Sequence, residues 1–137
     1  MATTLKPELS DKNEFYISKH RFYELKHLCL QYPEWKSALS RIKGLRARPT
    51  DIPILDKKHG NPTEKAAFAR VYFSNRIDML EKAANRTDEV IGKYVLYGVT
   101  NGYSYDTVNA NMKIPCCRDA YYHYYRKFFW ILDKIRQ

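Results

Sequence analysis

SYDTVNANMKIPCCRDAYYHYYRKFFWILDKIRQ, residues 104–137, carries two helical patterns parted by one sharp break. Ser104 is a favoured capping residue, and Tyr105, Val108 and Met112 follow at the three-and-four spacing that lines one face of a short helix. Lys113-Ile114-Pro115 then stops that helix, because proline has no N–H to give and disfavours helical backbone in the residue before it. The second pattern is longer. Tyr121, Tyr124, Phe128, Ile131 or Leu132, and Ile135 are expected to point inward. Arg118, Asp119, Tyr122, His123 and Arg126 then face outward near the helix start, with Lys127 one step around.

Seven aromatic side chains sit in this second helix, at positions 121, 122, 124, 125, 128, 129 and 130. Most aromatics at helical spacing are core, and a helix aromatic around most of its circumference has to be covered on several sides, by earlier helices or by a second copy. Its cationic start has a different use. Arginine can donate two hydrogen bonds to a guanine edge, whereas lysines and the free N–H groups of a helix start hold phosphates and set position. The residues expected to face a duplex are Lys113, Cys117, Arg118, Asp119, Tyr122, His123, Arg126 and Lys127, with Arg118 and Arg126 the first candidates for base contacts.

Upstream, Asn61, Pro62 and Glu64 have the arrangement of a capping box. Ala69, Phe73, Ile77, Leu80 and Ala84 give the following helix its stripe, widened by Phe68, Tyr72 and Met79. Thr87 is placed to cap the next helix, and Asp88 and Glu89 suit its positive end. Ile91, Tyr94, Val95 and Gly98 face inward there, and Asn101-Gly102 stops it. Nearer the start, Ser18 caps a helix with the stripe Phe22, Leu25, Cys29 and Tyr32. Pro33 opens another with Trp35, Ala38, Leu39 and Ile42, ended by Gly44.

Residues 45–60, with Pro49, Pro53 and many cations, show no helical period and read as an extended basic linker. Residues 1–17 read as a loose leader unless Phe15 and Tyr16 dock on the body. Strand-like alternation does not persist outside the linker. The expected fold is all-α, with about five or six helices: a pair over 18–44, the linker, then central helices and a final helix, turn and helix over 61–137.

The 137 residues hold 24 Lys and Arg against 15 Asp and Glu, a formal net charge of +9. That excess points to a polyanionic partner, since cations that neutralise phosphates release condensed counterions. Arg41, Lys43, Arg46 and Arg48, with no acid among them, can follow a phosphate backbone or enter a minor groove; the alternative is a solvated linker. Apolar runs fall well short of the ~20 residues that span a bilayer, and Lys6, Glu8 and Asp11 interrupt the place of a signal peptide. Three cysteines, two of them adjacent, make no disulfide framework, so a cytoplasmic protein is expected.

The sequence has no phosphate-binding glycine loop, dinucleotide fingerprint or nucleophile motif. His20, His27 and Cys29 lie near one another, but no cysteine pair at ligand spacing completes a zinc site. Neither an enzyme nor a protein with a cofactor or metal is expected.

YSYDTVNANMKIP (103–115) resembles the short helix and turn of sigma-factor region 4, whose order Tyr105, Asp106, Thr107, Val108, Met112 and Ile114 follow. Asn109 stands where that motif has a small residue, and Lys113 where it has glycine. A lysine in the left-handed backbone of that turn carries about 1 kcal/mol or more of strain. Over the whole chain, the Tyr32-Pro33 junction of the helical pair, the basic Pro-containing linker, the long helix and the final motif are similar in layout to the phage-encoded late-gene transcription activators of Gram-positive bacteria, the RinA and ArpU type.

The resemblance implies a sigma region-4-like helix-turn-helix in a sequence-specific DNA-binding regulator, an activator of phage or prophage genes in the cytoplasm of a bacterial host. Double-stranded DNA would meet the final helix, and the first helices would form a homodimer or touch RNA polymerase. Two other readings stay open: a DNA-packaging protein of the small-terminase kind, and a phage inhibitor of a host defence nuclease.

Overall fold

The computed structural model describes residues 14–44 and 62–136, which form six α-helices and no strand. They are α1 (Lys19–Leu30), α2 (Tyr32–Gly44), α3 (Pro62–Thr87), α4 (Gly92–Asn101), α5 (Tyr105–Met112) and α6 (Arg118–Arg136). The all-α class stands. The expected linker over 45–60 with Arg46 and Arg48, the Asn61 cap, and the leader up to residue 13 lie outside the described residues.

The chain divides into two compact units, one of residues 32–78 and the other built from the segments before and after it. In the first, the early turns of α3 bury Ala69, Phe73 and Ile77 as expected. α2 buries Trp35, Ala38 and Ile42 as expected but leaves Leu39 half-buried and takes Tyr32, expected on the stripe of the helix before it, as its own first residue. Phe68 departs from expectation at 49% exposed. It lies about 100° around the helix from Ala69, off the centre of the buried stripe. Tyr72 is half-buried and carries the Arg76 guanidinium 3.7 Å above its ring centroid.

In the second unit, α4 packs against α1, α5 and α6, and α6 also meets α1 and α5. Two glycines let α4 sit this close. A Cβ on Gly92 would strike the Ala84 carbonyl at the end of α3, and one on Gly98 would strike the Tyr121 hydroxyl and lie 3.1 Å from Val108 Cγ2. Gly102 closes α4 with left-handed backbone, φ 71°, a conformation glycine adopts without steric cost.

Thr87 does not cap α4 as expected, and Ile91, the residue before Gly92, makes no side-chain capping bond. Thr87 ends α3, where its buried hydroxyl donates to the Ala83 carbonyl at 2.8 Å. Asp88 caps the turn that leads into α4: its Oδ2 accepts the N–H groups of Val90 at 2.9 Å and Ile91 at 2.8 Å. Those two bonds favour the charged form and hold the Asp88 carboxyl below the usual carboxylate range, with a smaller contribution from the charge of Lys127.

Ser18 precedes α1 with extended backbone as a cap residue should, but its side chain makes no capping bond; its carbonyl accepts the Phe22 N–H at 2.9 Å. Phe22, Leu25 and Cys29 are buried on α1 as expected, and burial pushes the Cys29 thiol pKa up. Arg21 bonds to Asp133 and Glu24, and Arg136 to Glu24, so a polar cluster joins α1 to the last turns of α6.

Candidate nucleic-acid interface

Ser104 starts α5 as expected, its Oγ accepting the Thr107 N–H at 3.4 Å, and Val108 is fully buried. Met112, expected inward, is 37% exposed at the last turn. Lys113 ends the helix in left-handed backbone, φ 54° and ψ 84°, the one non-glycine residue with positive φ among the described residues. Its N–H donates to the Asn109 carbonyl at 2.9 Å, and the next N–H, of Ile114, donates to Asn109 Oδ1 at 3.0 Å. The two departures from the sigma pattern thus form one device. Asn109 supplies a side-chain acceptor that braces the strained lysine turn.

Hydrogen bonds from Tyr105 fix α5 against α6. Its hydroxyl donates across the turn to the Cys116 carbonyl at 2.8 Å, and its N–H donates to the Tyr122 hydroxyl at 3.2 Å. Buried Val108, Ile114 and Tyr121 fill the space beneath. Cys117 opens α6 with its carbonyl, which accepts the Tyr121 N–H at 2.9 Å.

The buried face of α6 is Tyr121, Tyr125, Phe128, Phe129 and Leu132, whereas the expected face included Tyr124 and Ile135, both of which are half-buried. Spacing alone could not choose, since 121-124-128 and 121-125-128 both satisfy the helical period. Phe22 on α1 makes the choice, with its ring 5.0 Å from Phe129 and 6.3 Å from Tyr125. The Tyr121 hydroxyl is buried without a hydrogen-bond partner among the described residues, and desolvation raises its pKa.

Of the residues expected to face a duplex, Lys113, Cys117, Arg118, Asp119 and His123 are exposed, and Tyr122, Arg126 and Lys127 are half-buried. Arg118 leans toward α5: its Nη2 donates to Asp106 Oδ1 at 2.6 Å, and its guanidinium lies 5.9 Å from the Tyr105 ring centroid. Its side chain is still 56% exposed. Tyr122 does not point outward as expected; its bond with Tyr105 turns it to α5, where it positions the two helices. Asp119, His123, Arg126 and Lys127 form the outer line of α6. Among the described residues no acid makes an ion pair with Arg126, while Lys127 lies near Asp88.

Arg41 is exposed on α2 in the other unit, and the Lys43 side chain lies outside the described residues. His20 and His27 are exposed and Cys29 is buried, and among the described residues no three potential ligands cluster as a metal site requires. Sequence reasoning missed Asp106 as the partner of Arg118, and missed where Phe15 docks: its ring lies 5.4 Å from His123 and 5.5 Å from Trp130. An aromatic residue shortly before the Ser18 cap was the only local signal for the second.

Among the described residues no helix is long and apolar enough to cross a membrane. No protein-family model, curated protein or solved structure matches the chain.

Proposed function

We propose that the chain is a sequence-specific DNA-binding transcription regulator of phage or prophage genes, in which α5 and α6 act as a sigma region-4-like helix-turn-helix and α6 enters the major groove. The observation that carries this reading is the braced turn at Asn109 and Lys113. It sets a short helix across the start of a long one, with Lys113 exposed in the turn and Arg118 and His123 exposed on the first turns of α6. The N–H groups of a helix start attract phosphate oxygens, and the cations around them extend that attraction. Arg118 has to leave Asp106 to reach a base. That ion pair is exposed to solvent and screened, so it opposes the exchange weakly.

The similar layout of the phage late-gene activators extends the proposal to activation, with the first helices meeting a second copy or RNA polymerase. Binding is tested by selecting duplexes from a random pool, then measuring fluorescence anisotropy with the selected and a scrambled duplex at two salt concentrations. The selected site should be preferred by about a thousandfold or more, with affinity falling steeply as salt rises. Arg118→Ala and Arg126→Ala should each weaken the selected site by about tenfold to a hundredfold. Equal affinity for both duplexes, unchanged in the variants, would refute the reading.

A further inference from the structure

The outer line of α6 is partly occupied by the chain's own amino-terminal segment. Ile17 is buried, and from that anchor the backbone runs back to Phe15, whose ring meets the edges of His123 and Trp130. Phe22, on the other side of Ile17, packs against Tyr125 and Phe129. At ~100° per residue, the pair 123 and 130 lies about 130° around the helix from the pair 125 and 129. The segment therefore wraps from the core side of α6 to the side that bears Asp119, His123 and Lys127.

We propose that residues 14–17 are a strap that restrains DNA binding, because Phe15 and a duplex compete for the outer face of α6. The inference rests on the reading of α6 as the groove-binding helix. A helix with its side chains is about 10–12 Å across and the major groove about 12 Å wide, which leaves no space for an additional aromatic ring on the face that enters. Charge separates the strap from a DNA-binding arm. Residues 1–14 carry Lys6 and Lys12 against Glu8, Asp11 and Glu14, a side-chain balance of −1 in a chain of net charge +9. Glu14, exposed beside Phe15, would meet phosphates with the wrong sign. The strap leaves when DNA arrives.

The test uses the full-length chain, wild type and Phe15→Ala, with the selected duplex in the anisotropy assay. Two edge-on ring contacts are modest, so Phe15→Ala should bind about threefold to tenfold more tightly while keeping its preference over the scrambled duplex. Equal or weaker binding by a variant with wild-type circular dichroism overturns the strap. A second measurement needs no substitution: in wild-type chain labelled with 5-fluorotryptophan, the Trp130 resonance should move as duplex saturates the protein. An unmoved Trp130 resonance also overturns the strap. If wild-type protein shows no preference for any selected duplex, the DNA reading itself fails and the strap falls with it. That result is distinct, since it appears without any variant.

Discussion

Gly98→Ala, made alone and together with Tyr121→Phe, tests how α4 seats the α5–α6 pair. An added Cβ meets the Tyr121 hydroxyl closer than carbon and oxygen can approach, and lies 3.1 Å from Val108 Cγ2. Neither neighbour yields readily. Both are fully buried, and the Tyr121 ring is hemmed by the rings of Tyr105 at 5.4 Å and Tyr122 at 5.2 Å. Overpacking of this kind costs about 1–3 kcal/mol, while alanine in place of glycine inside a helix contributes about 1 kcal/mol in the other direction. A net destabilisation of about 1 kcal/mol is expected. Tyr121→Phe alone should stabilise by about 1–3 kcal/mol, because it removes a buried hydroxyl that has no partner among the described residues. In the Tyr121→Phe background the nearest obstacle is gone, and alanine at 98 should be neutral or stabilising by up to about 1 kcal/mol. Urea denaturation of all four proteins gives the coupling directly, with unchanged m values as the check on two-state behaviour. If Gly98→Ala carries the same cost in both backgrounds, the packing argument is wrong.

Asp88→Ala should lose about 0.5–2 kcal/mol as the cap of the turn leading into α4 disappears. Because the folded Asp88 carboxyl titrates below its ordinary value, its stabilisation is fully present above the unfolded value of about 3.9 and is lost as pH falls through the folded one. Thermal denaturation from neutral to acid pH should therefore show the wild type declining more steeply than Asp88→Asn below about pH 4; parallel profiles would contradict the assignment. Lys113→Gly should stabilise by up to about 1 kcal/mol, relief of left-handed strain outweighing the greater freedom of glycine in the unfolded chain. The same variant should reduce the slope of log affinity against log salt by about 1 if Lys113 holds a phosphate, and a loss of stability would show that the turn is not strained.

Punctuation made the helix limits legible. Pro33, Gly44, Gly102, Ser104 and the Lys113-Ile114-Pro115 break mark starts and stops within a residue or two of where α2, α4 and α5 begin or end. The stripe of α3 was legible too, because Ala69, Phe73, Ile77, Leu80 and Ala84 recur every three or four residues over about four turns, although the Phe68 beside them turned out exposed. Aromatics at adjacent positions removed that clarity from α6. When 124 and 125 offer equal apolar surface, the buried one is set by a distant partner, and Phe22 has no sequence mark tying it to Tyr125, while at 128 and 129 both rings are buried. The capping role passed from Thr87 to Asp88 for a related reason: both are good caps, and α3 continued far enough to use up the threonine, leaving Asp88 to cap the turn before α4.

The candidate site divides along the same line between local and distant causes. The cations at the start of α6 could be found from composition and period; Arg118 is exposed, and Arg126 and Lys127 are half-buried. Their availability could not, because it depends on contacts from elsewhere: Asp106 on Arg118, Tyr105 on Tyr122, and Phe15 on His123. These contacts differ in kind. The Tyr105 bonds stand over buried Val108, Ile114 and Tyr121 and set the angle between two helices, so they belong to the rigid frame that a groove reader needs. The Arg118 ion pair is exposed to solvent, where opening it leaves no buried group unsatisfied, and the half-buried Phe15 ring meets His123 and Trp130 by two ring contacts outside the α5–α6 frame. On the reading proposed above, a frame fixed by packing, with Arg118 and His123 engaged by contacts outside that frame, exchanges those contacts for a duplex without moving α5 or α6.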